Sequence, residues 1–176
     1  GNMGSIKPLA LGDFSVNMGQ GLIQWQRLAL KKSVEVKGAK RQTTVLRPYN
    51  SAGEYNFNRG AGITFRKGKI ETTVFASIRQ LSANFVADTV NFEDYISSFQ
   101  TSGYHRTEAE IADRNKLRQT SFGGNLKYTG NRWHIGLNGV NYQFSKPVQK
   151  RDEPYNIFAI NGKNWYNLSV DYSYSY

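Results

Sequence analysis

Phe57-Asn-Arg-Gly-Ala-Gly-Ile-Thr-Phe-Arg-Lys-Gly-Lys-Ile-Glu-Thr-Thr-Val-Phe-Ala-Ser-Ile-Arg79 holds two alternating arms around one glycine. In the first arm Ala61, Ile63 and Phe65 share a face, and Gly62, Thr64 and Arg66 take the other. In the second, Ile70, Thr72, Val74, Ala76 and Ile78 oppose Glu71, Thr73, Ser77 and Arg79, with Phe75 the one exception. A repeat of two is the period of a pleated strand, and Lys67-Gly68-Lys69 supplies a short connection in which glycine accepts backbone angles that other residues resist. The stretch is therefore a β-hairpin. Arms of about ten residues suit a tilted transmembrane strand as well as a large soluble one. Which solvent meets the apolar face decides the function.

The composition points to lipid. The 176 residues include 17 glycines, 11 tyrosines and 10 phenylalanines, yet the mean hydropathy is polar. A soluble core of this size would hold more Leu, Ile and Val. A transmembrane barrel needs an apolar residue only at every second strand position, and it gathers tyrosine and tryptophan at the bilayer interfaces. The lack of any run of about 18 apolar residues excludes a transmembrane helix and says nothing against strands. The lack of cysteine excludes disulfides and thiolate zinc sites.

The formal charge is +10, but its carriers are scattered: Lys31 and Lys32, Lys37 to Arg41, Arg47, Arg59, residues 66–69, Arg79, residues 114–118 and residues 146–151. No single helix or motif gathers them, which argues against nucleic acid as a partner. Solvated loops, charges inside a barrel or contact with anionic lipid head groups account for the excess.

Working outward, residues 9–18 alternate, with Phe14, Val16 and Met18 against Asp13, Ser15 and Asn17. Gly19-Gln20-Gly21 then allows a tight turn. Residues 22–30 are expected as a second strand, with Trp25 as an interface anchor, and residues 31–55 as a long loop with a short strand at 43–46. After the hairpin, residues 80–116 form another long connection. In it Phe92, Tyr95, Ile96 and Phe99 recur at helical spacing, so the pattern predicts a short helix over 91–100. Thr107-Glu108-Ala109-Glu110 predicts a second helix start, closed by a capping box.

Strand alternation resumes at Thr120. Phe122, Leu126 and Tyr128 oppose Ser121, Gly123, Asn125 and Lys127; residues 129–132 turn; Trp133, Ile135 and Leu137 oppose His134, Gly136 and Asn138. Val140, Tyr142 and Phe144 then carry the apolar side, an apparent phase slip that predicts a bulge near Gly139. A third long connection covers 145–163. Tyr166, Leu168, Val170, Tyr172, Tyr174 and Tyr176 close the chain in alternation with polar residues.

About seven strands follow, joined by connections that alternate short and long, as in an outer-membrane meander. The expected fold is all-β: an antiparallel up-and-down meander, a segment of a transmembrane β-barrel with short helices in one long loop. Residues 1–176 are expected to form a single barrel segment, a fragment of a larger barrel. The first residues, Gly1 to Lys7, lack the charged and apolar regions of a signal peptide. Either an export signal outside this sequence directs it to a bacterial outer membrane, the expected location, or the protein stays inside the cell.

Leu11 to Gln26, Lys40-Arg-Gln42, Leu46-Arg-Pro-Tyr-Asn-Ser-Ala-Gly-Glu54 and Thr101-Ser-Gly-Tyr-His-Arg-Thr107 together resemble the barrel region of Bacteroidetes helix-hairpin-helix domain-containing proteins. The resemblance covers nearly the whole chain and implies an outer-membrane barrel of unestablished role. The helix-hairpin-helix part is not in this sequence, so no DNA-related role is implied.

Functional motifs are sparse. There is no Gly-x-Ser-x-Gly, no His-Glu-x-x-His and no phosphate-binding glycine loop, so no enzyme and no cofactor is expected. His105, Glu108, Glu110 and Asp113 resemble a metal cluster only until the capping box claims Glu110, and one histidine with first-turn acids is better read as helix chemistry. His134 reads as an interior hydrogen-bonding residue. Phe65, Ile70, Val74, Phe122, Leu126, Leu137, Leu168 and Val170 are expected to face lipid, and Arg66, Glu71, Arg79, Asn125, Lys127 and Asp171 the lumen. The expected role is solute passage or a surface scaffold, with the lipid bilayer and other envelope proteins as partners. The alternative is a soluble β-rich module binding carbohydrate or a cell-surface partner through Tyr49, Tyr55, Tyr95 and Tyr104.

Overall fold

The computed structural model describes residues 6–26, 43–50, 55–87, 94–101 and 105–176. Among them are ten strands and one α-helix: β1 (Ile6–Met18), β2 (Gln24–Trp25), β3 (Leu46–Pro48), β4 (Asn58–Lys67), β5 (Ile70–Leu81), β6 (Ala83–Val86), β7 (Tyr95–Phe99), α1 (Glu108–Ala112), β8 (Leu117–Thr129), β9 (Trp133–Val148) and β10 (Gly162–Tyr174). The chain is all-β, with a mostly antiparallel sheet. Its strands follow the order β2-β1-β4-β5-β8-β9, with β3 on β1 and β10 on β9. The described residues form two compact units, each treated separately below. Unit 1 is residues 1–77, 122–140 and 166–176; unit 2 is residues 78–121 and 141–165.

In unit 1 the opening hairpin forms as its pattern requires. β4 and β5 pair from Gly60↔Ser77 to Lys67↔Ile70, and Gly68 takes φ +60° at the first turn position, the arrangement that matches the twist of the flanking strands. β1 pairs directly with β4, from Ile6↔Phe65 to Phe14↔Asn58. The expected strand over 22–30 is only Gln24–Trp25, and residues 27–30 lie outside the described part, as does the side chain of Trp25. Gly19, Gln20 and Gly21 all have positive φ, so the chain leaves β1 in a left-handed turn and returns along it, with β2 on Asn17 and Met18 and β3 on residues 14–16. The short strand expected at 43–46 is Leu46–Pro48, which starts three residues later and ends two later.

Phe75 is no irregularity. It lies on the buried side of β5 and meets Phe14 edge-on, ring centroids 6.1 Å apart. Glycines opposite create the room: a Cβ at Gly123 would stand 3.0 Å from the Phe75 ring, and one at Gly62 would stand 2.8 Å from Leu46. The interior of this unit is thus filled by Phe14, Leu46 and Phe75 together with polar side chains.

Unit 2 corrects the helix predicted over 91–100. Residues 91–93 lie outside the described part, and Tyr95–Phe99 is the strand β7, antiparallel to β6 from Ala83↔Phe99 to Val86↔Tyr95. Nucleating a ten-residue helix from Tyr, Ile, Ser and Phe is unfavourable, whereas pairing with β6 satisfies the backbone at once. Ile96 is fully buried and meets Val148 of β9 in parallel pairing, and Phe99 lies 5.6 Å from Phe144. Leu81, Ala83 and Leu117 complete an apolar core. The capping box at α1 is present in both arms: Glu110 N–H donates to Thr107 Oγ1, and the Glu110 carboxylate accepts from the Thr107 backbone.

The bulge expected near Gly139 is absent. β9 runs unbroken from Trp133 to Val148, and its buried positions remain even-numbered throughout: Gly136, Asn138, Val140, Phe144 and Val148. What changes is the chemistry of the buried side. The connection after β9 is accordingly shorter than expected, residues 149–161, and β10 begins at Gly162.

Candidate functional site

The inward positions of unit 1 are the odd residues of β5, β8 and β10 and the even residues of β4 and β9. They carry Asn58, Thr64, Thr73, Ser77, Asn125 and Asn138, all buried. Each must find partners, because an unpaired buried polar group costs about 1–3 kcal/mol. Thr64 and Thr73 pair across β4 and β5, Oγ1 to Oγ1, at 2.9 Å.

A longer relay crosses β8, β9 and β10. Asn138 Nδ2 donates to Asp171 Oδ2 at 2.7 Å and to Ser169 Oγ at 3.2 Å, while Asn138 Oδ1 accepts from Asn125 Nδ2 at 2.7 Å. Polarity is set from the Asp171 end. A carboxylate only accepts, so Asn138 must offer its amide nitrogen there and its oxygen to Asn125. Asn125 Oδ1 is left as the acceptor at the far end, with no hydrogen-bond partner among the described residues. His134 Nε2 stands 3.5 Å from Asp171 Oδ1, an ion pair whenever the imidazole is protonated.

Two glycines make the relay possible. A Cβ on Gly136 would lie 2.7 Å from Asp171 Oδ2, and one on Gly19 2.8 Å from Ser169 Oγ. The Gln20 side chain, presented by the left-handed turn, donates to Tyr172 O at 3.2 Å. Between the turn and the relay lies a pocket of about 70 Å³, lined by Asn17 to Gly21, Thr43, Val45, Asn125, Lys127, His134, Asn138 and Asp171. It is room for about two waters.

Of the six residues expected to face the lumen, three meet at this pocket: Asn125, Lys127 and Asp171. Arg66 and Glu71 are register partners beside the β4–β5 turn and stand apart from it. Arg79 belongs to unit 2, where its Nε donates to Gln119 Oε1 at 3.1 Å. Asn138 and Ser169 share the period-two phase of Asn125 and Asp171, a signal open to sequence reading. Gln20, Thr43 and Val45 arrive through the return of the chain along β1, which no local pattern encodes.

His105 Nδ1 lies 3.2 Å from Glu110 O, and the Glu110 carboxylate accepts from the backbone N–H groups of Arg106 and Thr107, which hold its pKa below the ordinary carboxylate value. Among the described residues no three His, Asp or Glu side chains converge. Tyr49 packs on Phe57 with centroids 5.4 Å apart and Tyr95 lies in β7, so neither presents a free ring from a loop; Tyr104 lies outside the described residues. The relay and its pocket bring together two amides, a carboxylate, a hydroxyl, an imidazole and the Lys127 ammonium. In comparisons, the chain matches no family model, no curated protein and no solved structure.

Proposed function

We propose that the chain is the membrane-embedded part of an outer-membrane β-barrel protein, in keeping with its resemblance to Bacteroidetes barrels, and that it serves as a scaffold with a filled interior. The observation that carries this is the inverted burial of unit 1. On β8, Asn125 is 6% exposed while its neighbour Leu126 is 46% exposed; on β9, Asn138 is 4% and Leu137 51% exposed. Phe65, Ile70, Val74, Phe122, Leu168 and Val170 are exposed as well. These side chains stand on one face of neighbouring strands, an apolar surface of the kind that marks a lipid or protein contact, and strand pairing satisfies the backbone in the way hydrocarbon demands.

Scaffolding is favoured over passage because Phe14, Leu46 and Phe75 occupy the inward side and the polar groups there are bonded to one another. The deciding experiment is detergent dependence. The purified chain is expected to fold cooperatively in micelles or vesicles and to aggregate without them; a monomer that folds cooperatively in plain buffer would overturn the reading. In planar bilayers an inward side filled by Phe14, Leu46 and Phe75 predicts no large, stable conductance. Should the chain fold in buffer, the soluble binding module is the reading left, and the exposed Tyr155, Ile157 and Phe158 of unit 2 are its contact surface.

A further inference from the structure

The turns that follow β4 and β8 in unit 1 lie side by side. Thr129 N–H, at the end of β8, donates to Lys69 O at 2.9 Å, and Ser175 N–H, just past β10, donates to Arg132 O at 2.7 Å. Residues 66–70 and 127–133 contain five basic side chains and no acidic one. Arg66 has Glu71 as its register partner, and Lys127 turns inward to the pocket. Lys67, Lys69 and Arg132 remain, and among the described residues no carboxylate pairs with them.

An aromatic pair stands beside these cations. The rings of Tyr128 and Trp133 are 5.3 Å apart and both are exposed. Trp133 is held over the turn: Gly130 N–H donates to Trp133 O at 2.8 Å, and a Cβ on Gly130 would stand 2.6 Å from the indole nitrogen. Amphipathic rings of this kind occupy the head-group level of a bilayer, where apolar surface gives way to charge.

We infer that this end of unit 1 seats anionic phospholipid head groups, with Lys67, Lys69 and Arg132 binding the phosphates and the Tyr128–Trp133 pair fixing the depth. The inference rests on the membrane reading above and adds to it a lipid preference and an address. Charge complementarity argues for this occupant: three cations without carboxylate partners stand at the edge of an apolar face, where an acidic leaflet would supply the missing charge.

The test uses the full chain and vesicles of phosphatidylcholine alone or mixed with phosphatidylglycerol, with association read by flotation at low and high salt. Wild type is expected to prefer the anionic vesicles, and salt should erode the preference. Each removed charge should lower association with them on the order of five-fold, so Lys67→Gln/Lys69→Gln/Arg132→Gln loses on the order of 100-fold. Binding to neutral vesicles should be unchanged. Arg114→Gln/Arg118→Gln/Arg151→Gln, which removes the same charge from exposed positions of unit 2, should keep the preference. Lys69→Gln alone gives the five-fold step should the triple variant fold poorly. Equal association with both lipids, or equal loss in the two triple variants, overturns the head-group seat and leaves the membrane reading standing. Association with neither vesicle overturns both.

Discussion

Unit 1 and unit 2 use the same strands with opposite chemistry. On β8 the buried residue is Leu117 and its exposed neighbour Arg118 in unit 2, but Asn125 and Leu126 in unit 1. On β9 the buried residues are Phe144 and Val148 in unit 2 and Asn138 in unit 1, while the exposed ones pass from Gln143 and Ser145 to Leu137 and Ile135. Unit 2 is built as water requires, with its oil inside. On β8 and β9 unit 1 instead buries asparagines and turns leucines outward. The lesson is that burial and polarity are separate variables: β pairing specifies which side faces inward, and the solvent outside decides what that side contains.

The largest effect should come from the core of unit 2. Phe144→Ala is expected to cost about 3–5 kcal/mol, the usual loss for a buried ring, in denaturant titrations of the refolded protein. A cost under about 1 kcal/mol would mean that this unit does not depend on an apolar core. Next is the outer face of unit 1. Leu137→Arg should cost about 2–4 kcal/mol if the residue lies in hydrocarbon and almost nothing if it faces water, so unfolding from vesicles compares the two solvents directly.

A smaller loss is expected inside unit 1. Asn138→Leu keeps the branched outline of the side chain but removes the centre of the relay, leaving Asp171 Oδ2 and Asn125 Nδ2 without their bonds. The expected cost is about 2–3 kcal/mol, and a neutral or stabilising result would show that the polar interior can be replaced by oil. The smallest effect is a pH effect on α1. The carboxylate of Glu110 has its pKa lowered by the backbone N–H groups of Arg106 and Thr107, so its capping contribution is present above the unfolded carboxylate value and is lost as pH falls through the lower folded one. Protection of the amides of residues 107–113, taken relative to their intrinsic exchange rates at each pH, should therefore fall in acid, while the protection of strand amides is kept. Protection there that does not change with pH would remove the capping box from the account.

Much of this was legible from residue types alone. The arms of β4 and β5, the phase of β8 and β10, and the cap at Thr107 follow from period-two alternation and a four-residue motif, which are local signals. The Gly139 bulge was expected because a change from Asn138 to Phe144 on one side of a strand looks like a slip of one residue when the interior is assumed to have uniform chemistry. The helix over 91–100 was expected because four side chains at helical spacing cannot reveal that β6 and β9 stand ready to pair. In the candidate site, Asn125, Lys127 and Asp171 share a phase that places them together. Gln20, Thr43 and Val45 reach the pocket only because the chain doubles back along β1, a tertiary event with no local signature.

The unbroken parity of β9 also bears on how the protein avoids misfolding. A slip of one residue in its pairing would carry Asn138 into the outer face and Leu137 into the polar relay, and the same slip would expose Phe144 and bury Gln143. In an ordinary amphipathic strand only one solvent opposes such an error. Here two opposite burial patterns on one strand both reject it, so the strand that looks irregular in its polarity resists a slip along its whole length.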